Sequence, residues 1–126
     1  MLKSFKAIPV YRKNKAKAIE AIKQAEHLIN NLGYHVVIFP EGTRTQNGEL
    51  QSFKKGGFHM AINTKTPIIP IIVKGGFRFK PKHRWYIKPS IIDIKVGEPI
   101  DVKDYSINDV NLLLNKTHLI FKDLLK

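Results

Sequence analysis

The sequence predicts an α/β domain in which helices flank a mixed, largely parallel sheet. Three observations carry that expectation. A helical stripe ending near Leu32 is followed, after Gly33, by the apolar run Tyr34 to Phe39. A helix feeding a strand is half of an α/β unit, and such units build parallel sheets. Two more β-type stretches and a closing amphipathic helix complete the order.

Each element has its own signal. Asn14 is a good N-cap, and Ala18, Ile22, Ala25, Ile29 and Leu32 share one helical face up to the stop at Gly33. Tyr34 to Phe39 reads as a buried strand, which Pro40 ends because it has no N–H to give. Gln46-Asn47-Gly48 is a turn. A short helix is expected over about Gly57 to Asn63, with Phe58, Ala61 and Ile62 inward. Residues 67–73 are apolar but hold Pro67 and Pro70, which predicts an irregular edge strand. Tyr86 to Val96 reads as one or two strands, with Ile92, Ile94 and Val96 alternating against Asp93 and Lys95. Ser106 and Asp109 resemble a capping box for a helix reaching about Leu125. Its inward stripe is Val110, Leu113, Leu114, Thr117, Ile120, Phe121 and Leu124.

Composition narrows the classes. At 126 residues one domain is the simplest expectation, spanning residues 1–126. There is no cysteine, which excludes a disulfide scaffold, a thiolate nucleophile and a thiolate metal site. The five histidines are scattered and form no metal constellation. No stretch approaches the ~18 apolar residues that span a bilayer. The net charge is +12, unevenly spread: no acid lies before Glu20 or between Glu49 and Asp93. The second gap holds Lys54, Lys55, Lys65, Lys74, Arg78, Lys80, Lys82, Arg84 and Lys88, with Phe77, Phe79, Trp85 and Tyr86 among the last five. Basic side chains gain about 1 kcal/mol each near an anionic leaflet, and aromatic rings favour the headgroup level. A face for an anionic membrane surface fits this pattern. A solvated basic face or a nucleic-acid patch are the alternatives.

Residues 39–44, Phe-Pro-Glu-Gly-Thr-Arg, are the most informative stretch. A carboxylate, a glycine, a hydroxyl and a guanidinium follow the apolar run at once. Ligands of open α/β sheets bind at the carboxyl ends of strands. Gly42 lets a ligand approach the backbone, and Arg44 offers a planar fork that suits a phosphate. A phosphate-binding loop of Glu41, Gly42, Thr43 and Arg44 is the physical reading.

The same hexapeptide resembles the third motif of the glycerol-phosphate acyltransferases, the family of the 1-acylglycerol-3-phosphate acyltransferases. Ile8-Pro9-Val10-Tyr11-Arg12-Lys13-Asn14 is similar to that family's second motif, with its arginine at Arg12. Gly48-Glu49-Leu50 through Phe53-Lys54-Lys55-Gly56 resembles the usual sequel to the third motif. Thr66-Pro67-Ile68-Ile69-Pro70-Ile71 resembles the fourth. The matches keep the family's order from about residue 8 to about residue 100.

The resemblance implies acyl transfer from acyl-CoA or acyl carrier protein, as co-substrate, to the free hydroxyl of a lysophosphatidate-like acceptor. No cofactor is implied. Arg12 and Arg44 would grip the acceptor's phosphate, Glu41 would anchor the loop, and Gly42 and Thr43 would shape it. Pro67 and Pro70 would help form the acyl or lipid cleft. The implied partners are a phosphate-bearing lysolipid, an acyl donor and an anionic membrane surface, with nucleic acid disfavoured. The implied location is cytoplasmic, peripheral to the inner face of the membrane.

The family's catalytic motif, a histidine, four residues and an aspartate, belongs well upstream of the second motif. Only seven residues precede Ile8. The chain is therefore expected to be the carboxyl-terminal part of such a domain, truncated, without catalytic residues and inactive alone. His118 and Asp123 have the motif's spacing at the wrong end of the chain. In a helix that step turns a side chain by roughly 140°, so the two should face apart. A non-catalytic module that holds phosphate or an anionic lipid is the alternative function.

Overall fold

The computed structural model describes residues 7–9, 13–45, 47–80 and 85–126. The chain falls into two compact units, Met1–Ile38 and Phe39–Lys126.

The first unit contains helix α1 (Lys15–Leu32). The Asn14 side chain accepts a hydrogen bond from Lys17 N at 3.1 Å, satisfying one of the orphan donors of the first turn. Ala21 and Ala25, one turn apart, are the buried positions of the helix. Its end is closed by Gly33 N and Tyr34 N, which donate to Ile29 O and Leu28 O at 3.2 Å each.

The second unit holds α2 (Gly56–Thr64), β1 (Ile71–Lys74), the short helix α3 (Gly76–Phe79), β2 (Asp93–Val96), a 3-10 turn at Ile107–Asp109 and α4 (Val110–Leu125). Its core gathers Phe53, Phe58, Ala61, Ile62, Ile100, Val102, Val110 and Leu113. The expected inward positions of α2 (Phe58, Ala61 and Ile62) are buried, with Met60 beside them; of the α4 stripe Val110, Leu113 and Thr117 are buried, and Leu114, Ile120, Phe121 and Leu124 are partly buried. Thr117 is the polar member of the α4 stripe, and its hydroxyl is satisfied by Leu113 O at 2.8 Å. The capping box forms: Ser106 N and Ser106 Oγ both donate to Asp109 Oδ2, at 2.8 and 2.6 Å.

The sheet departs from expectation. Among the described residues it has two strands, β1 and β2, paired antiparallel with Ile71 opposite Val96 and Lys74 opposite Asp93. The expected largely parallel sheet is not formed there. Its premise was a strand at Tyr34–Phe39, and these residues carry no ladder. A strand exists only with a partner for its backbone groups. Here Phe39 O and Pro40 O are taken by Gly42 N and Lys54 N instead. Val37 and Phe39 are accordingly exposed, at 79% and 81%.

The prolines act as foreseen. Before Pro70 there is only an isolated bridge between Ile68 and Ile100, and β1 begins one residue after it. The expected strand over Tyr86 to Val96 is cut to its last four residues. Ile72 points into the core, whereas Ile71, Val73, Ile94 and Val96 lie on the opposite, exposed face of the sheet.

Candidate functional site

The signature loop is held at its root by the stretch that follows it. Lys54 N donates to Pro40 O at 2.7 Å, so the chain returns alongside the start of the loop. One residue earlier, Phe53 is buried and meets the rings of Phe58, Phe121 and His118 at 6.1, 5.1 and 4.9 Å. Edge and offset ring contacts of this kind fix both position and angle. The loop is therefore leashed to α2 and α4 through one aromatic side chain.

Glu41 adds a second tie. Its Oε2 accepts from Gln51 N at 2.9 Å, in a half-buried position. A carboxylate accepting from a backbone N–H is a charge-assisted bond, stronger than a neutral one. Between these ties the chain turns sharply, with Gly42 N donating to Phe39 O at 3.0 Å and Gly42 at φ +68°. That conformation is strained for any residue with a Cβ, which explains the glycine.

The far end of the loop is also ordered. Gly48 N donates to Thr45 Oγ1 at 2.9 Å, and Glu49 N donates to Asn47 Oδ1 at 3.1 Å. Asn47 Nδ2 donates to Glu49 Oε2 at 2.7 Å, which occupies that carboxylate locally. Gln46, the first residue of the expected turn, lies outside the described residues.

Thr43 and Arg44 sit between the two ordered ends and are exposed. Glu41 is turned to Gln51, so it does not neutralise Arg44. Among the described residues the Arg44 guanidinium has no carboxylate partner. A cation with unspent donors, carried on a braced loop beside a glycine backbone, can accept a phosphate in bidentate fashion. Lys54 and Lys55, both exposed, add positive charge to the returning stretch.

Other sequence-based candidates are distributed as follows. Arg12 lies outside the described residues. Pro67 is exposed at the start of the irregular stretch, and Pro70 is fully buried, its carbonyl accepting from Gly97 N at 2.9 Å. His118 and Asp123 both lie on α4 and face different partners, as their spacing requires. His118 Nε2 lies 3.3 Å from Gln51 O, and Asp123 pairs with Lys126 at 2.8 Å. They do not form a base and its orienting carboxylate.

A surface depression of about 640 Å³ lies elsewhere, between residues 98 and 120. Glu98, Asp101, Asp104 and Asp109 line it, against Lys116 alone. Such a rim repels phosphate, and none of its lining residues belongs to the signature loop. Sequence reasoning missed two members of the site: Phe53 as anchor and Gln51 N as the partner of Glu41. The Phe-Lys-Lys-Gly string after the loop was the available signal for the first. A backbone N–H has no sequence signal at all.

The Acyltransferase family model matches residues 1–74, more than half of the chain. The chain belongs to that acyltransferase family. It is 33% identical over 112 residues to the 1-acyl-sn-glycerol-3-phosphate acyltransferase of Cocos nucifera, covering 89% of this chain and 36% of that protein. It is 35% identical over 107 residues to the enzyme of that name from Haemophilus influenzae, covering 85% of this chain and 44% of the relative. The crystal structure of the 1-acyl-sn-glycerophosphate acyltransferase PlsC from Thermotoga maritima matches with a TM-score of 0.75 and 31% identity, over 83% of this chain and 44% of that one. The chain thus spans less than half the length of these relatives. Among the described residues no helix is long and apolar enough to cross a membrane.

Proposed function

We propose that this chain supplies the phosphate-holding portion of an acyltransferase of glycerophospholipid synthesis. The acceptor is a lysophosphatidate-like lipid, and the donor is acyl-CoA or acyl carrier protein. In the reaction a base removes the proton of the acceptor's free hydroxyl. The hydroxyl oxygen bonds to the thioester carbonyl carbon, the C–S bond breaks, and the thiol leaves with a proton. Holding both substrates in register supplies much of the rate in such a step.

The role of this chain's residues is to grip the acceptor's phosphate. Arg44, with Arg12 as its proposed second cation, binds the phosphate oxygens. Gly42 and Thr43 shape the backbone around it, and Glu41 keeps the loop open by bonding Gln51 rather than Arg44. Pro67 and Pro70 shape the acyl or lipid cleft. The protein works at the inner face of a membrane as a peripheral component. The observation that carries this reading is the Glu41–Gln51 tie, which leaves Arg44 without a carboxylate partner among the described residues.

Glycerol 3-phosphate, the soluble end of the acceptor, provides the test. Titration into the purified chain, followed by amide NMR, should shift the signals of residues 41–44. Arg44→Ala should abolish the shifts. Saturable shifts elsewhere with the loop unmoved would overturn the assignment.

A second reading has its own observation. His118 and Asp123, the one pair with the family's catalytic spacing, face different partners. A module that binds phosphate or anionic lipid without turnover fits that geometry. Incubation of the purified chain with acyl-CoA and lysophosphatidate tests for turnover by this chain. No transfer is expected from this chain alone, and transfer abolished by Arg44→Ala would refute the expectation.

A further inference from the structure

The connection between β1 and β2, residues 75–92, is long for an antiparallel pair and unusual in chemistry. It contains five basic residues, no acid, and four aromatic rings. It is also pinned at its base. Gly75 has φ +88°, and a Cβ there would collide with Ile91 O, so the two sides of the neck touch. Ser90 Oγ donates to Gly75 O at 3.4 Å. Further out, Lys88 N donates to Phe79 O at 3.0 Å, tying α3 to the returning chain.

What this excursion presents to solvent is mixed. Trp85 is 92% exposed and stands edge-on to Tyr86 at 5.9 Å. Ile87 and Phe79 are also exposed apolar side chains. Arg78, Lys80 and Lys88 are exposed on the same excursion. Leaving a bare indole in water wastes a large apolar area. A solvated cationic face explains the lysines and not the tryptophan. A protein core explains the tryptophan and not the lysines.

We infer that the β1–β2 connection docks on the surface of an anionic lipid bilayer, with Trp85, Ile87 and Phe79 at the headgroup level and Arg78, Lys80 and Lys88 on the lipid phosphates. Both halves of the composition then have a partner. Tryptophan favours the membrane interface for its apolar body and polar N–H. Each basic residue near an anionic leaflet strengthens binding about five-fold. The charge complementarity is strong, because residues 50–92 contain no acid at all. This rests on the peripheral-membrane part of the reading above and assigns it a surface distinct in sequence from the signature loop.

The chain has a single tryptophan, so its fluorescence reads this surface directly. The full chain is titrated with vesicles of phosphatidylcholine alone and with an equal mixture of phosphatidylcholine and phosphatidylglycerol. A blue shift of Trp85 emission is expected on the mixed vesicles and not on the neutral ones, and it should weaken with salt. The triple variant Arg78→Gln/Lys80→Gln/Lys88→Gln should bind the mixed vesicles roughly a hundred-fold more weakly. Ile87→Ala should weaken binding and leave its salt dependence intact. An equal shift on neutral vesicles, no shift on either, or a triple variant that binds like the parent overturns the inference. So does tighter binding to duplex DNA than to the mixed vesicles at equal salt. Glycerol 3-phosphate titration of the same triple variant should be unchanged, which keeps failure here separate from failure of the phosphate assignment.

Discussion

Glu41 offers the sharpest test of how the signature loop is built. Its carboxylate does not need to touch the ligand; it accepts from Gln51 N at 2.9 Å and so holds the returning chain beside residue 41. Glu41→Ala removes the acceptor and leaves a half-buried N–H without its partner. A hydrogen bond to a charged group is worth ~1.5–3 kcal/mol when buried, and partial exposure reduces this to about 1 kcal/mol. The ties Lys54 N to Pro40 O and Phe53 to the core remain, so the loop loosens rather than unfolds. If that loss falls on the phosphate-competent geometry, affinity for glycerol 3-phosphate drops about five-fold. Glu41→Gln retains an acceptor oxygen and should lose only about half of that free energy. Isothermal titration of the three proteins reads the affinities, and their melting curves read the stability. Equal damage from both substitutions would refute the argument, since the negative charge rather than the bond to Gln51 would then matter. Unchanged affinity in Glu41→Ala would refute it as well.

Three further outcomes follow from the same structure. Leu113 is fully buried at the centre of the α4 stripe, so Leu113→Ala should cost about 2–5 kcal/mol in chemical denaturation; a loss of under ~1 kcal/mol would place it outside the core. Gly75→Ala faces both a positive φ and collision with Ile91 O, so it should open the neck of the β1–β2 connection and speed amide exchange at Lys88; unchanged exchange would refute the neck geometry. The Asp109 carboxyl is held below its ordinary range by the Ser106 hydroxyl and then by the Ser106 backbone N–H. A depressed folded value stabilises above the unfolded pKa of about 4 and loses that effect as pH falls through the lower folded value. Asp109→Asn should therefore melt below the parent at neutral pH, and the gap should close in strong acid; a gap that is constant with pH would sink the account.

Local chemistry was legible in the sequence, and non-local pairing was not. Asn14, Gly33, Ser106 and Asp109 cap their helices at the predicted positions because a cap involves residues three or four apart. The buried stripes of α2 and α4 follow from helical spacing for the same reason. The run Tyr34–Phe39 is different. Its composition states that it can be a strand, but only a ladder with a neighbouring strand makes it one, and no ladder forms at these residues. The exposed face of Ile71, Val73, Ile94 and Val96 has a related origin. Alternation marks two sets of side chains on a strand; what covers each set is decided by elements distant in sequence.

The loop itself is held in place, but by a different support from the one its sequence suggests. In the sequence it follows an expected strand, at whose carboxyl end sheet geometry would support it. In the structure its support comes from the other side. Phe53, in the core among Phe58, Phe121 and His118, fixes the returning chain, and that chain fixes the loop through Pro40 O and the Glu41 carboxylate. The bracing elements are α2 and α4, which carry core side chains in the same compact unit as the loop. A binding loop needs a rigid base, and the base need not be the ladder that precedes it. Truncating Phe53 should therefore impair phosphate binding even though its ring reaches no ligand, and should do so more than any change at Val37. An equal effect at the two positions would return the credit to the apolar run before the loop.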